Sequence, residues 1–191
     1  MNIILASASP RRRELLKFIT EDFTAVSTDA DETLPPDVVL QCQTTPETAA
    51  VYLSEIKAQA VAEDYSDSIV IGCDTVVIVD KTILGKPHDE QECREYLRML
   101  SGRSHQVTTG CTIICGNEKK CFNVNTEVRF RSLTDEDIEW YISTGEPFDK
   151  AGGYGIQGKG SLLIESINGD YFNVVGLPVS ELNYYLKEFL K

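Results

Sequence analysis

The sequence predicts an α/β protein, and three observations carry that expectation. Ile3 to Leu5 read as a short buried strand that runs through a small-residue turn into a helix start at Ser9-Pro10. Ser68 to Val79 form the most apolar strand run in the chain, long enough for two strands or one long bent one. Between and beyond these segments, helical and strand patterns alternate along the 191 residues.

The first helix is odd in its charge. Ser9 is placed to cap it and Pro10 sits where an amide has no partner anyway. Arg11, Arg12 and Arg13 then occupy a turn whose usual residents are Asp or Glu, facing the positive end of the helix dipole. An anion held between free backbone amides and guanidinium groups turns that conflict into attraction, so the stretch reads as a phosphate grip. The alternative is three solvated arginines on an exposed turn.

Composition sets the bounds. At 191 residues, with 42% hydrophobic and 25% charged, the chain has the size and make-up of one globular domain, residues 1–191. A net charge of −12 argues against a nucleic-acid or anionic-membrane surface. No leader pattern and no apolar run of transmembrane length stand out, which leads to the expectation of a cytoplasmic protein. The six cysteines contain no Cys-x-x-Cys, and His88 and His105 do not stand at ligand spacings from them. Buried reduced thiols are expected rather than a zinc site or disulfides.

Phe23 to Val26 could be a second strand, leading into an acidic loop with Asp29, Asp31 and Glu32 that Pro35-Pro36 marks as irregular. Thr45-Pro46-Glu47 caps a helix to about Glu63 with Ala49, Leu53, Ile56 and Ala60 on one face and Lys57 beside it. Asp74 interrupts the apolar run, where a carboxylate is costly unless it is paired, bound to metal or facing a cleft. Lys86, on a rigid elbow between Gly85 and Pro87, is placed to reach back toward Asp74. Asp89 opens a helix to about Leu100 with Cys93, Tyr96, Leu97 and Leu100 inward, ended by Ser101-Gly102. Ser104 to Cys115 and Cys121 to Phe130 read as a hairpin; His105 could be a base, but a lone histidine entering a strand is more often structural, and that role is expected. Thr134 to Asp137 start a further helix that Gly145 and Pro147 stop.

Two motif matches in the glycine-rich segment fail on context. Gly153 to Gly158 fit G-x-G-x-x-G, but Ser161 to Ile167 reads as a strand where that fingerprint needs a helix. Gly153 to Gly160 approach a phosphate-binding loop, yet Gly160 stands where Ser or Thr must hold magnesium. What survives is a flexible loop that allows close backbone approach, with Gln157 able to offer its amide to a base edge. Tyr171 to Val175 reads as a short strand, and Leu182, Tyr185, Leu186 and Phe189 stripe a last helix.

Collected, Arg11, Arg12, Arg13, Lys57 and Lys86 suit a polyphosphate, while Glu32 and Asp74 suit a metal or a water. No Ser-His-Asp or Cys-His set is evident. The combination fits metal-assisted hydrolysis of a phosphoanhydride.

Leu5 to Arg12, Gly72-Cys-Asp-Thr75, Leu84-Gly-Lys-Pro87, Ser101 to Val107, Asp149 to Gly158, and Asn168-Gly-Asp170 through Gly176-Leu-Pro178 form a series of blocks across nearly the whole chain. In content and order these blocks resemble the Maf family, nucleoside triphosphate pyrophosphatases first named for septum formation. The resemblance implies a two-lobed α/β fold, an elongated mixed sheet flanked by helices around a central nucleotide cleft, similar to the inosine triphosphate pyrophosphatase (Maf/Ham1) fold. It implies attack of water on the α-phosphorus, giving monophosphate and pyrophosphate, with a divalent cation, Mg2+ or Mn2+. By motif position Asp74 would be the proton acceptor and, with Glu32, a metal ligand. Lys57 and Lys86 would complete the catalytic set, and Ser9, Arg11 and Arg12 would contact phosphate. Arg11, Thr75 and Gln157 look like the dTTP/UTP type rather than the branch acting on 7-methyl-GTP. The resemblance also suggests a homodimer. A competing expectation, drawn from the family's historical name, is a nucleotide-binding regulator of division with little turnover.

Overall fold

The β-branched run from Ile69 to Val79 folds as one long strand, and the sheet is built along it. The computed structural model describes residues 1–190. Its strands are β1 (Ile3–Ala6), β2 (Thr24–Val26), β3 (Ile69–Val79), β4 (Thr82–Leu84), β5 (Ser104–Cys115), β6 (Glu118–Phe130) and β7 (Ile164–Asn168). They form one mixed seven-stranded sheet in the order β2-β1-β3-β5-β6-β7, with β4 also on β3. β1 runs parallel to β2 and β3, and the remaining pairs are antiparallel.

Among the described residues seven α-helices flank the sheet: α1 (Pro10–Leu16), α2 (Pro36–Cys42), α3 (Thr48–Ala62), α4 (Glu90–Leu100), α5 (Asp135–Ser143), α6 (Tyr171–Val175) and α7 (Val179–Phe189). Strand alternation sorts them by face. Ile69, Ile71 and Cys73 of β3 pack with Leu15, Leu16, Leu177 and Leu182, the side of α1 and α7. Farther along that face Val77 and Val79 join Leu97, Leu100, Ile138 and Tyr141 of α4 and α5. Val70, Val76 and Ile78 point the other way, against α3 and α2.

α3 lies unusually close to the sheet, and two glycines allow it. A Cβ on Gly72 would stand 2.2 Å from the Ser54 carbonyl oxygen, and one on Gly110 would stand 2.2 Å from that of Ala50. Both contacts are far inside van der Waals distance, so only glycine lets the backbones meet.

Several local expectations need correction. Tyr171 to Val175 is helical, not a strand: Asp170 caps it by accepting from the Phe172 amide, and a short apolar run carries no periodicity that separates strand from buried helix. Ser161 to Leu163 belong to a 3-10 turn, and the strand begins only at Ile164. Pro36 opens α2 rather than prolonging the loop, as the first helical position tolerates proline. In α3 the buried residues are Ala49, Ala50, Leu53, Ser54, Ala58 and Val61, with Ala60 exposed. α1 is short, ending at Leu16, and the β5–β6 turn is tighter than expected, with β6 starting at Glu118. The thiols of Cys42, Cys73, Cys93 and Cys111 are buried, while Cys115 and Cys121 are half-buried.

Candidate active site

The cleft begins as a gap in a sheet edge. β1 pairs with β3 only from Ile69 to Gly72, and β4 pairs with the same edge only from Val77 to Val79, while β5 takes the opposite edge from Val70 to Ile78. Cys73 to Val76 therefore lack a strand neighbour on one side. The chain leaving β1 at Ala6, opposite Gly72, turns here into α1, and such reversals at strand ends are where α/β sheets bind ligands.

Asp74 and Thr75 occupy this gap and point to opposite faces. On the α3 face, Lys57 Nζ stands 2.5 Å from Asp74 Oδ1 and 3.0 Å from Glu32 Oε1. Glu32 arrives from the long loop after β2 and is half in solvent, with its side chain 58% exposed. One ammonium thus gathers the strand carboxylate and the loop carboxylate into one place. Asp29 and Asp31 of the same loop do not join them, and Asp31 instead accepts from the Thr33 amide.

On the other face, Arg12 donates from Nε to the Gly176 carbonyl at 2.8 Å and from Nη2 to Thr75 Oγ1 at 3.1 Å. Its Nη1 has no partner among the described residues. Ser9 caps α1 by accepting from the Arg12 amide at 3.4 Å, and its hydroxyl keeps a proton to donate.

The three arginines do not converge as a single grip. Arg11 turns away to Asp149, 3.0 Å from its carboxylate, and Arg13 folds back on the Ala8 carbonyl at 3.3 Å. Burial pushes the Asp149 carboxyl up, but hydrogen bonds from Lys150 and Arg11 outweigh it and hold it below the usual range. Lys86 is exposed and makes no ion pair with Asp74, although the end of β4 at Leu84, opposite Val77, sends the chain back in that direction. Gln157 is exposed on the glycine-rich loop.

His105 is structural, as expected. It is 4% exposed, bonded through Nε2 to the Tyr154 hydroxyl at 2.6 Å, and set edge-on to Phe130 and Tyr154. Burial drives its pKa down to about 4, which keeps the ring neutral.

Some site residues escaped the sequence reading. Thr109, Asn173 and Gly176 hold Thr75 and Arg12 through hydrogen bonds, and Asp149 holds Arg11. Asn173 carried a signal: an amide within the apolar run Tyr171 to Val175 must find partners if that run is buried.

With this geometry in place, comparison with known proteins bears on identity. Residues 2–189 match the family model described as Maf-like protein. The chain is 48% identical over 191 residues to the dTTP/UTP pyrophosphatase of Clostridioides difficile (strain 630), covering 99% of this chain and 95% of that one. It is 47% identical over 192 residues to the dTTP/UTP pyrophosphatase of Bacillus cereus (strain ATCC 14579), covering 98% and 95%. Among solved structures, the Ham1 protein of Staphylococcus aureus matches with a TM-score of 0.56, covering 99% of this chain and 100% of that one at 14% identity, a likeness of fold alone. The strand–turn–helix with its arginines, the open edge of β3 and the near-complete match of model and relatives lead to one assignment: the chain belongs to the Maf-like family.

Proposed function

We propose that the protein hydrolyses dTTP and UTP to the nucleoside monophosphate and pyrophosphate. The observation that carries this reading is the pairing of two unlike chemistries at one strand edge. Carboxylates gathered by Lys57 lie on one face of β3, and a half-committed Arg12 lies on the other. Names borne by relatives at 46–48% identity supply the substrate class.

Asp74 accepts the proton of the attacking water. Lys57 occupies its Oδ1, which fixes the carboxylate and leaves Oδ2 without a partner among the described residues. The water oxygen bonds to the α-phosphorus, the bond to the bridging oxygen of the β-phosphate breaks, and pyrophosphate leaves. Arg12 Nη1 and the Ser9 hydroxyl contact phosphate oxygens, where a guanidinium is best suited to developing charge. Lys86 reaches the leaving pyrophosphate from the segment after β4.

A divalent cation, Mg2+ or Mn2+, suits the donor set. Two carboxylates, Asp74 and Glu32, meet at one ammonium, and no cluster of three or more His, Cys, Asp or Glu residues occurs among the described residues. That is a fit for a hard cation held by one or two carboxylates together with substrate phosphates, not for an all-protein cage. Such a cation would neutralise the phosphates and ease departure of pyrophosphate.

In this reading Arg11, Thr75 and Gln157 set preference for the pyrimidine. Thr75 acts through Arg12, to which it is bonded, and Arg11 through the Asp149 segment that leads into the Gln157 loop. The proposal extends to a cytoplasmic homodimer acting on free nucleotides, since a net charge of −12 disfavours nucleic acid or an anionic membrane as partner. No described helix is long and apolar enough to cross a membrane.

The position of attack is tested by hydrolysis of dTTP in 18O-labelled water. Label in the monophosphate supports attack at the α-phosphorus. Label in pyrophosphate, or release of orthophosphate, contradicts it.

A further inference from the structure

We infer that Asn173 is the positioning residue for Arg12, because both hydrogen bonds that orient the guanidinium trace back to the Asn173 peptide. The first route is a chain of hydroxyls. Arg12 Nη2 donates to Thr75 Oγ1, which lies 2.9 Å from Thr109 Oγ1, and Thr109 Oγ1 donates to the Asn173 carbonyl at 2.9 Å. Each hydroxyl has a single proton, and Thr109 commits its own to Asn173. Thr75 must therefore donate to Thr109, which leaves its oxygen purely an acceptor toward Arg12. The direction of the whole chain is fixed by the carbonyl at its end.

The second route is shorter. Arg12 Nε donates to the Gly176 carbonyl at 2.8 Å, and the Gly176 amide is shared between the Phe172 carbonyl at 3.0 Å and the same Asn173 carbonyl at 3.1 Å. Gly176 has a φ of 125°, a conformation that favours glycine, so the turn presenting its carbonyl is built for this residue.

The Asn173 side chain pins that peptide to the middle of the sheet. Fully buried, its Oδ1 accepts from the Thr109 amide at 3.0 Å, and its Nδ2 donates to the Val107 carbonyl at 3.0 Å and to Thr126 Oγ1 at 2.9 Å. It bridges two alternate residues of β5 as a neighbouring strand would. α6 is five residues long and would hold poorly by itself, so this amide, with the Asp170 cap, sets where it docks. Asn173 touches no substrate in this scheme. Its effect on turnover passes through Arg12, and it decides which guanidinium protons remain for phosphate.

The inference rests on the triphosphate reading of the site, and the test separates the two. kcat and KM for dTTP are measured for Asn173→Ala, Thr109→Val and Thr109→Ser, each with Arg12 intact and with Arg12→Ala. In parallel, solvent exchange of the Arg12 Nε proton is followed by 15N-resolved NMR. With Arg12 intact, Asn173→Ala and Thr109→Val are expected to lower kcat/KM on the order of tenfold, the scale of one charged hydrogen bond. Thr109→Ser, which keeps the hydroxyl, restores it. In the Arg12→Ala background the same changes are expected to cost less than about twofold, because residues acting as a unit are not additive. The Nε proton exchanges faster in Asn173→Ala than in the parent protein. Equal losses in both backgrounds, or an active Thr109→Val, would overturn the inference and leave Asn173 a purely structural residue. Should Asn173→Ala not fold, the Thr109 pair decides. Should the parent protein turn over no triphosphate, the functional reading falls while the exchange rates still decide the positioning.

Discussion

Lys57 Nζ stands 2.5 Å from Asp74 Oδ1, with the two side chains only 12% and 13% exposed. Such a pair is costly to bury and costly to break, because removal of one partner strands a charge in a poor solvent. It occurs at the one stretch of β3 where the sheet edge is open, between the end of β1 and the start of β4.

Asp74→Asn keeps the shape and an oxygen for Lys57 but removes the basic carboxylate. Pyrophosphate release should fall by at least about a hundredfold, the usual worth of a positioned general base, while the protein still folds but melts at a lower temperature, because Lys57 loses its buried countercharge and keeps only Glu32. Retained turnover in a folded Asp74→Asn variant would remove Asp74 from the role of proton acceptor.

Glu32 lies on an exposed loop, so Glu32→Gln should leave stability within about 0.5 kcal/mol of the parent. The prediction is a rise in the Mg2+ concentration needed for half-maximal rate, read from metal titrations, and complete loss of turnover on chelation with recovery on adding Mg2+. An unchanged metal requirement would place the cation elsewhere.

Gly110→Ala drives a methyl into the Ala50 carbonyl and lifts α3, which carries Lys57, away from β3 and β5. We expect a loss of at least about 2 kcal/mol in denaturant unfolding, typical of overpacking against backbone, together with weaker catalysis. A stability near that of the parent would mean that α3 shifts without cost.

His105 sets a pH dependence of stability. Its folded pKa of about 4 lies below the unfolded value of about 6.5, so the folded state binds fewer protons between those limits. The stability it confers is present in full above pH 6.5 and is lost as the pH falls toward 4, by about 3 kcal/mol in total. Unfolding titrations at pH 7.5, 5.5 and 4.5 check this, and His105→Gln should flatten the decline. An identical slope in the variant would assign the acid sensitivity to other groups.

What was legible in the sequence was local. Ser9 and Pro10 predict the start of α1 because capping depends on residues a turn apart, and Asp74 stands out because a carboxylate amid β-branched residues is a local anomaly. The destinations of the arginines were not legible. Neighbouring positions on a helix diverge by about 100°, so adjacent guanidinium groups reach different partners, here Asp149 for Arg11 and Gly176 for Arg12, both far along the chain. Asn173 was lost in the same way, since reading Tyr171 to Val175 as a strand hid the cap at Asp170 and the amide that docks α6. The family blocks contain Asp149, Asn173 and Gly176, but only the folded chain assigns them work.

The most direct test of the central claim is product analysis after incubation of the protein with Mg2+ and, separately, dTTP, UTP, CTP, GTP, ATP and 7-methyl-GTP. The account predicts pyrophosphate with dTMP and UMP from the first two and little from the rest. Preference for another base would discard the roles of Arg11, Thr75 and Gln157 in specificity. Orthophosphate, or tight nucleotide binding without turnover, would contradict the account and favour a nucleotide-binding regulator.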